Sequence, residues 1–193
     1  MQKSLIHLIF LFQFVGSLVN AQVVDKTRLE YEEDQLTSKQ MGMSISHNHQ
    51  MAAFLFENGE ISIFDLNNSV TIATHTIDLS NGKEIAFTKD DKKLVVVEEA
   101  RFRLIDWKSG ETLLKEERAT IKTMRVADIS NHFAIGLENS VEIWNTESRK
   151  KERTLEIKYE LATISFSSYD PHIILNAKWR ILKNRFFIYN YQT

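Results

Sequence analysis

His47-Asn48-His49 is the one close histidine pair in the chain. Two imidazoles one residue apart on a strand can share a face and ligate a metal. Here the pair falls in a turn between two apolar runs, with no third ligand nearby, so a solvated turn without a bound metal is expected. Acidic residues recur at what read as hairpin tips: Glu57 and Glu60, Glu98 and Glu99, then Glu138. A repeat protein gathers equivalent residues on one rim. There Glu57, Glu98, Glu99 and Glu138 would form an acidic patch for a basic partner or a cation, although hairpin tips are polar in any case. The third candidate is basic. The segment from Ala177 to Arg185 carries Lys178, Trp179 and Arg180, and Trp and Arg are the residue types that dominate protein-binding hot spots. The same segment can also be a long hairpin that packs Trp179 and Ile181 onto a neighbouring sheet.

Catalytic signatures are missing. The chain has no Gly-x-Ser-x-Gly, no phosphate-cradling glycine loop and no His-Glu-x-x-His. It has no cysteine, which removes disulfides, thiolate nucleophiles and Cys-ligated zinc. With a formal net charge of −2, nothing recommends nucleic acid or an anionic membrane as a partner. The expectation is a protein that is not an enzyme and needs no cofactor.

These candidates must be held by strands. Four segments end alike: Ile61–Asp65, Phe102–Asp106, Val141–Asn145 and Phe186–Asn190, each reading apolar, variable, apolar, apolar, then Asp or Asn. The terminal residues stand 41, 39 and 45 positions apart. A strand pattern recurring at about 40–45 residues is the signature of a β-propeller blade. Before each lie two further apolar runs, such as Ile85–Thr88 and Leu94–Val97, separated by polar punctuation such as Asp90-Asp91. Continuous apolar runs of this length suit strands buried on both faces. Val70–Ile77, Glu111–Glu117 and Lys150–Ile157 are more charged and suit outer strands facing solvent. Each unit then has four antiparallel strands, at approximately 41–77, 84–117, 122–157 and 161–193. The last unit is irregular: Ser167 to Asn190 spans 23 positions, against 19, 18 and 15 for the corresponding spans earlier.

This arrangement resembles the WD40 repeat family over roughly residues 28–193. The matching positions are the strand endings Asp65, Asp106, Asn145 and Asn190, where the family tends to carry Trp-Asp, with Trp144-Asn145 the nearest version. A Ser or Thr closing each innermost segment (Ser46, Thr88, Ser130, Ser167) is also similar to the family, whereas its Gly-His dipeptide is absent from every repeat. The resemblance implies an all-β, WD40-like β-propeller of four blades of four antiparallel strands, or a partial, open propeller. The segment Arg28–Tyr31, which precedes the first unit as Thr112–Lys115 precedes the third, could supply the outer strand that the last unit lacks and so close the ring.

Residues 1–21 read as a secretory signal peptide. Lys3 is followed by an apolar run from Leu5 to Val19 and a Val19-Asn20-Ala21 cleavage site, leaving Gln22 as the new N-terminus. A secreted or periplasmic product is expected, attached to a membrane only if that segment stays uncleaved. The function that follows is a non-catalytic protein-interaction platform with a protein as partner. Two alternatives are the N-terminal, non-catalytic fragment of a larger secreted propeller enzyme, and a glycan-binding propeller in which Trp107 and Trp179 would stack on sugar rings.

Overall fold

A computed structural model describes residues 22–25, 28–30, 38–180 and 183–192. The signal-peptide reading of residues 1–21 and the residue Tyr31 lie outside them. Every regular element among the described residues is a β-strand. The first two, β1 (Gln22–Asp25) and β2 (Arg28–Glu30), form a hairpin of their own. Three four-stranded sheets follow in chain order. The first holds β3 (Gln40–Ile45), β4 (Met51–Phe56), β5 (Glu60–Asp65) and β6 (Val70–Thr76). The second holds β7 (Gly82–Phe87), β8 (Lys93–Glu98), β9 (Arg101–Asp106) and β10 (Thr112–Glu117). The third holds β11 (Thr123–Val126), β12 (His132–Gly136), β13 (Ser140–Asn145) and β14 (Lys151–Glu156). The last sheet has three strands, β15 (Glu160–Phe166), β16 (His172–Arg180) and β17 (Lys183–Asn190).

All four sheets are antiparallel meanders in which each strand pairs with its chain neighbour. The strand endings noted in the sequence fall at the ends of β5, β9, β13 and β17. Among the described residues the last sheet has no fourth strand. Arg28–Glu30 pairs with Gln22–Asp25 instead of joining β17, and the closing contact expected of it is not formed.

Burial explains the sequence pattern. The two middle strands of the first three sheets are buried on both faces, β8 from Leu94 to Glu98 and β12 throughout, so both alternations are apolar. The outer strands β6, β10 and β14 are largely exposed and carry the charge. Successive sheets stack through alternate residues of the middle strands. Ala53, Leu55, Ile61 and Ile63 of the first sheet pack on Ile85, Phe87, Leu94, Val96 and Ile105 of the second. The opposite alternation of the second, Val95, Val97, Phe102 and Leu104, packs on Met124, Phe133, Ile135 and Trp144 of the third. Ala134, Val141 and Ile143 then meet Leu161, Ile164, Ile173 and Leu175 of the last. The inner strands β3, β7, β11 and β15 lie side by side in series.

Turns are fixed by side chains. In the Asn58-Gly59 turn between β4 and β5, Gly59 sits at φ +83°. A Cβ there would lie 2.1 Å from the Ile77 carbonyl oxygen, so only glycine fits.

Candidate functional site

The antiparallel meander sends the β4–β5, β8–β9, β12–β13 and β16–β17 hairpins to one rim of the stack. Glu57, Glu99 and Glu138 are exposed there, and Glu99 accepts a hydrogen bond from the Asn81 side chain at 3.3 Å. Glu98 departs from the acidic patch. It is fully buried, 2.9 Å from Arg103 Nε and 3.6 Å from Arg101, and it accepts both the backbone N–H and the hydroxyl of Ser80 at 3.0 Å. Glu98 is the last residue of β8, which is buried on both faces there, whereas Glu99 falls in the β8–β9 turn beyond it, so the pair divides into an interior anchor and a rim residue.

The basic candidate also lies on this rim. β16 has nine residues and β17 eight, against six in β4 and in β8, so the last hairpin projects about 10 Å further than its neighbours. Its register pairs Lys178 with Asn184 and Arg180 with Lys183. Lys178 is exposed and 3.3 Å from Glu160 on β15, a surface pair of small energetic weight. Trp179 and Arg180 belong to β16, and their side chains lie outside the described residues.

The opposite rim carries the β3–β4 and equivalent turns, and here His47 and His49 separate. His49 is exposed with φ 58°. His47 is held between sheets: its backbone N–H donates to Asp91 Oδ1 at 2.7 Å, its Nδ1 lies 3.3 Å from the same carboxylate, and its Nε2 lies 3.5 Å from Asp128. No group of three metal-ligating side chains forms among the described residues. Trp107 is also built in. It is 8% exposed and donates its indole N–H to the Asp91 carbonyl at 2.6 Å, so its face is not available for sugar stacking.

The repeated Asp and Asn at the strand ends have a local task on this rim. Asp65 Oδ1 accepts the backbone N–H groups of Asn67 and Asn68 at 2.8 and 3.1 Å. Asp106 Oδ1 accepts those of Lys108 and Ser109 at 2.9 and 3.0 Å. Asn145 Oδ1 accepts those of Glu147 and Ser148 at 2.9 and 3.0 Å, and Asn190 Oδ1 that of Gln192 at 2.9 Å. The motif is therefore an Asx turn that caps the strand and starts the reversal. Ser46 and Thr88 serve the preceding turn in a matching way: each hydroxyl accepts the backbone N–H five residues on, from Met51 at 2.9 Å and from Lys93 at 3.1 Å.

Two features were not anticipated from the sequence. Glu142 is buried on β13 and gathers Lys151 at 2.9 Å, Arg118 at 2.8 Å and the Trp144 indole at 3.2 Å. Burial pushes its carboxyl up, but the bonds from Lys151 and Arg118 outweigh this and hold it below the ordinary carboxylate range. The other is the outward face of the last sheet, where Ile174, Phe186 and Ile188 stand exposed. Four consecutive apolar residues, Phe186 to Tyr189, were the available signal, since only a strand covered on both faces needs them.

No family model matches the chain, and no curated protein does. What the geometry defines is a class of architecture: an all-β protein of four consecutive antiparallel sheets stacked through their middle strands.

Proposed function

We propose that the four sheets are blades of a WD40-like β-propeller standing as an open arc, and that the protein is a secreted or periplasmic, non-catalytic platform for a protein partner. The observation that carries this reading is the long β16–β17 hairpin, which departs from the repeat and whose strand β16 ends in the sequence Lys178-Trp179-Arg180. A rigid stack with one overlong, basic, tryptophan-bearing loop has the form of a scaffold that displays a contact site. Glu57, Glu99 and Glu138 on the same rim would set the charge that a partner must complement. The sugar-binding alternative has lost Trp107 to packing and rests on Trp179 alone.

The test is affinity capture from the secreted or periplasmic fraction, with the wild-type chain and a Lys178→Glu/Arg180→Glu variant as baits. A specific protein recovered by the wild type and reduced at least about tenfold with the variant supports the reading. Equal recovery by both removes the hairpin tip from the site. Glycan binding abolished by Trp179→Ala would replace the protein partner with a sugar.

A further inference from the structure

The β5–β6 turn contains Asn67-Asn68-Ser69, the one Asn-x-Ser/Thr sequence in the chain. That pattern is the acceptor for N-linked glycosylation where it stands on the surface of an exported protein. Leu66, Asn67 and Asn68 are all exposed. The Asn68 amide is committed to Asp65 Oδ2 at 2.9 Å. The Asn67 side-chain amide makes no bond, and only the backbone N–H of that residue reaches Asp65. Ser69 stands at φ 55°, a place taken by Gly110 and Arg149 in the next two sheets, so the turn itself does not call for a hydroxyl there.

The surface beside the turn is a second, independent observation. Charge on the outer strands is carried by Lys115, Glu116 and Glu117 of β10 and by Lys151, Glu152, Arg153 and Glu156 of β14. Val70–Thr76 of β6 includes no lysine, arginine, aspartate or glutamate. β6 is nonetheless the outer edge of its sheet among the described residues, and charge is a common protection of such edges. A bulge interrupts each of the three outer pairings alike, so charge is what the first sheet lacks. Val70 and Ile72 are 48% and 43% exposed, and Leu66 in the turn is 41% exposed. At the place of Leu66 in the next two sheets, Trp107 and Thr146 are 8% and 1% exposed. The first sheet therefore has an apolar, uncharged edge that begins at the acceptor sequence.

We propose that Asn67 carries an N-linked oligosaccharide that shields the uncharged edge β6. In the transfer, Asn67 Nδ2 bonds to C1 of the reducing-end sugar as the bond from C1 to a polyprenyl diphosphate breaks. The diphosphate leaves, and the amide nitrogen gives up one proton. Ser69 supplies the hydroxyl that the transferase reads. A bulky, hydrated chain at the start of β6 keeps a second molecule from aligning along that edge. The inference rests on the reading of residues 1–21 as an export signal, because transferase and lipid-linked donor act on the far side of the membrane. It is independent of the β16–β17 hairpin.

Translation of the full chain with endoplasmic-reticulum microsomes tests export and modification separately. Resistance to added protease reports export, and a step in mass that an endoglycosidase removes reports the sugar. The wild type and Ser69→Thr should show one such step in the protected fraction, and Asn67→Gln and Ser69→Ala should lose it completely. Asn67→Gln keeps the turn, since the bond to Asp65 comes from the backbone. A protected chain of unmodified mass, or a step that survives Asn67→Gln, overturns the site and leaves export standing. A chain that stays digestible overturns the export reading and the site with it. The shielding has its own readout in light scattering of protein purified from secreting cells. Asn67→Gln should form larger species at concentrations where the glycosylated wild type is monodisperse, and adding Ile72→Lys should restore the wild-type profile. Identical profiles for wild type and Asn67→Gln would remove the shielding role.

Discussion

The Asp and Asn residues at the strand ends show how a motif can be conspicuous in sequence and local in purpose. Asp65 is held below the usual carboxylate range, first by the Asn68 side-chain amide and then by that residue's backbone N–H. Asp106 is held low chiefly by the Ser109 backbone N–H, which together with the Lys108 N–H outweighs the opposing effect of burial. Because both titrate lower folded than unfolded, their contribution is complete above the unfolded value and fades as pH falls through the folded one. Together with the lowered Asp90, Glu142 and Asp170, they predict a urea midpoint that is flat from neutrality to about pH 5 and declines below about pH 4. A midpoint unchanged to about pH 2.5 would contradict this. Asn145 makes the same two bonds without a charge, so Asp106→Asn should preserve stability at neutral pH and reduce the acid slope. Asp106→Ala should lose about 0.5–1 kcal/mol in the same titration.

At the scale of elements, strand positions and the division between middle and outer strands were legible because each reflects burial that the sequence must match. Val95 and Leu94 are both apolar since β8 has a sheet on either side. Which charged residues enter the interior was not legible. Glu98 and Glu99 are chemically alike, and only the third dimension places Arg103 beside one of them. That pair makes a sharp prediction. Glu98→Gln leaves the Arg103 guanidinium buried without its counter-charge and should cost about 3–5 kcal/mol in denaturant unfolding, whereas Glu98→Leu with Arg103→Met should cost far less. Equal losses in the single and double variants would show that packing, not charge, dominates there. The length of the last hairpin was visible as a spacing surplus. The pairing of Arg28–Glu30 with Gln22–Asp25 was not, because a short apolar-charged segment matches several edges equally well.

For the whole molecule, three interfaces join the four sheets in series among the described residues, as in a repeat stack whose units pack on their neighbours. The middle one buries three aromatic rings, with Phe102 edge-on to Phe133 and Trp144 at centroid distances of 5.6 and 5.1 Å. Phe102→Ala should remove about 3–5 kcal/mol and uncouple the first two sheets from the last two. Single-tryptophan variants give the measurement, since Trp107 reports the first interface and Trp144 the middle one. Their fluorescence transitions in urea should coincide in the parent and separate after Phe102→Ala; coincident curves in both would mean the interfaces are not independently breakable. The meander topology carries one more implication. Among the described residues no ladder joins positions more than 18 apart, a span reached by Glu160 with Lys178 and by His172 with Asn190. Each ladder therefore closes only a short loop, and the loop-closure entropy of forming a single sheet is correspondingly small. A chain threaded through a narrow exit from its N-terminus can therefore complete each sheet shortly after its last strand emerges. Every completed sheet then offers a finished surface on which the next one condenses.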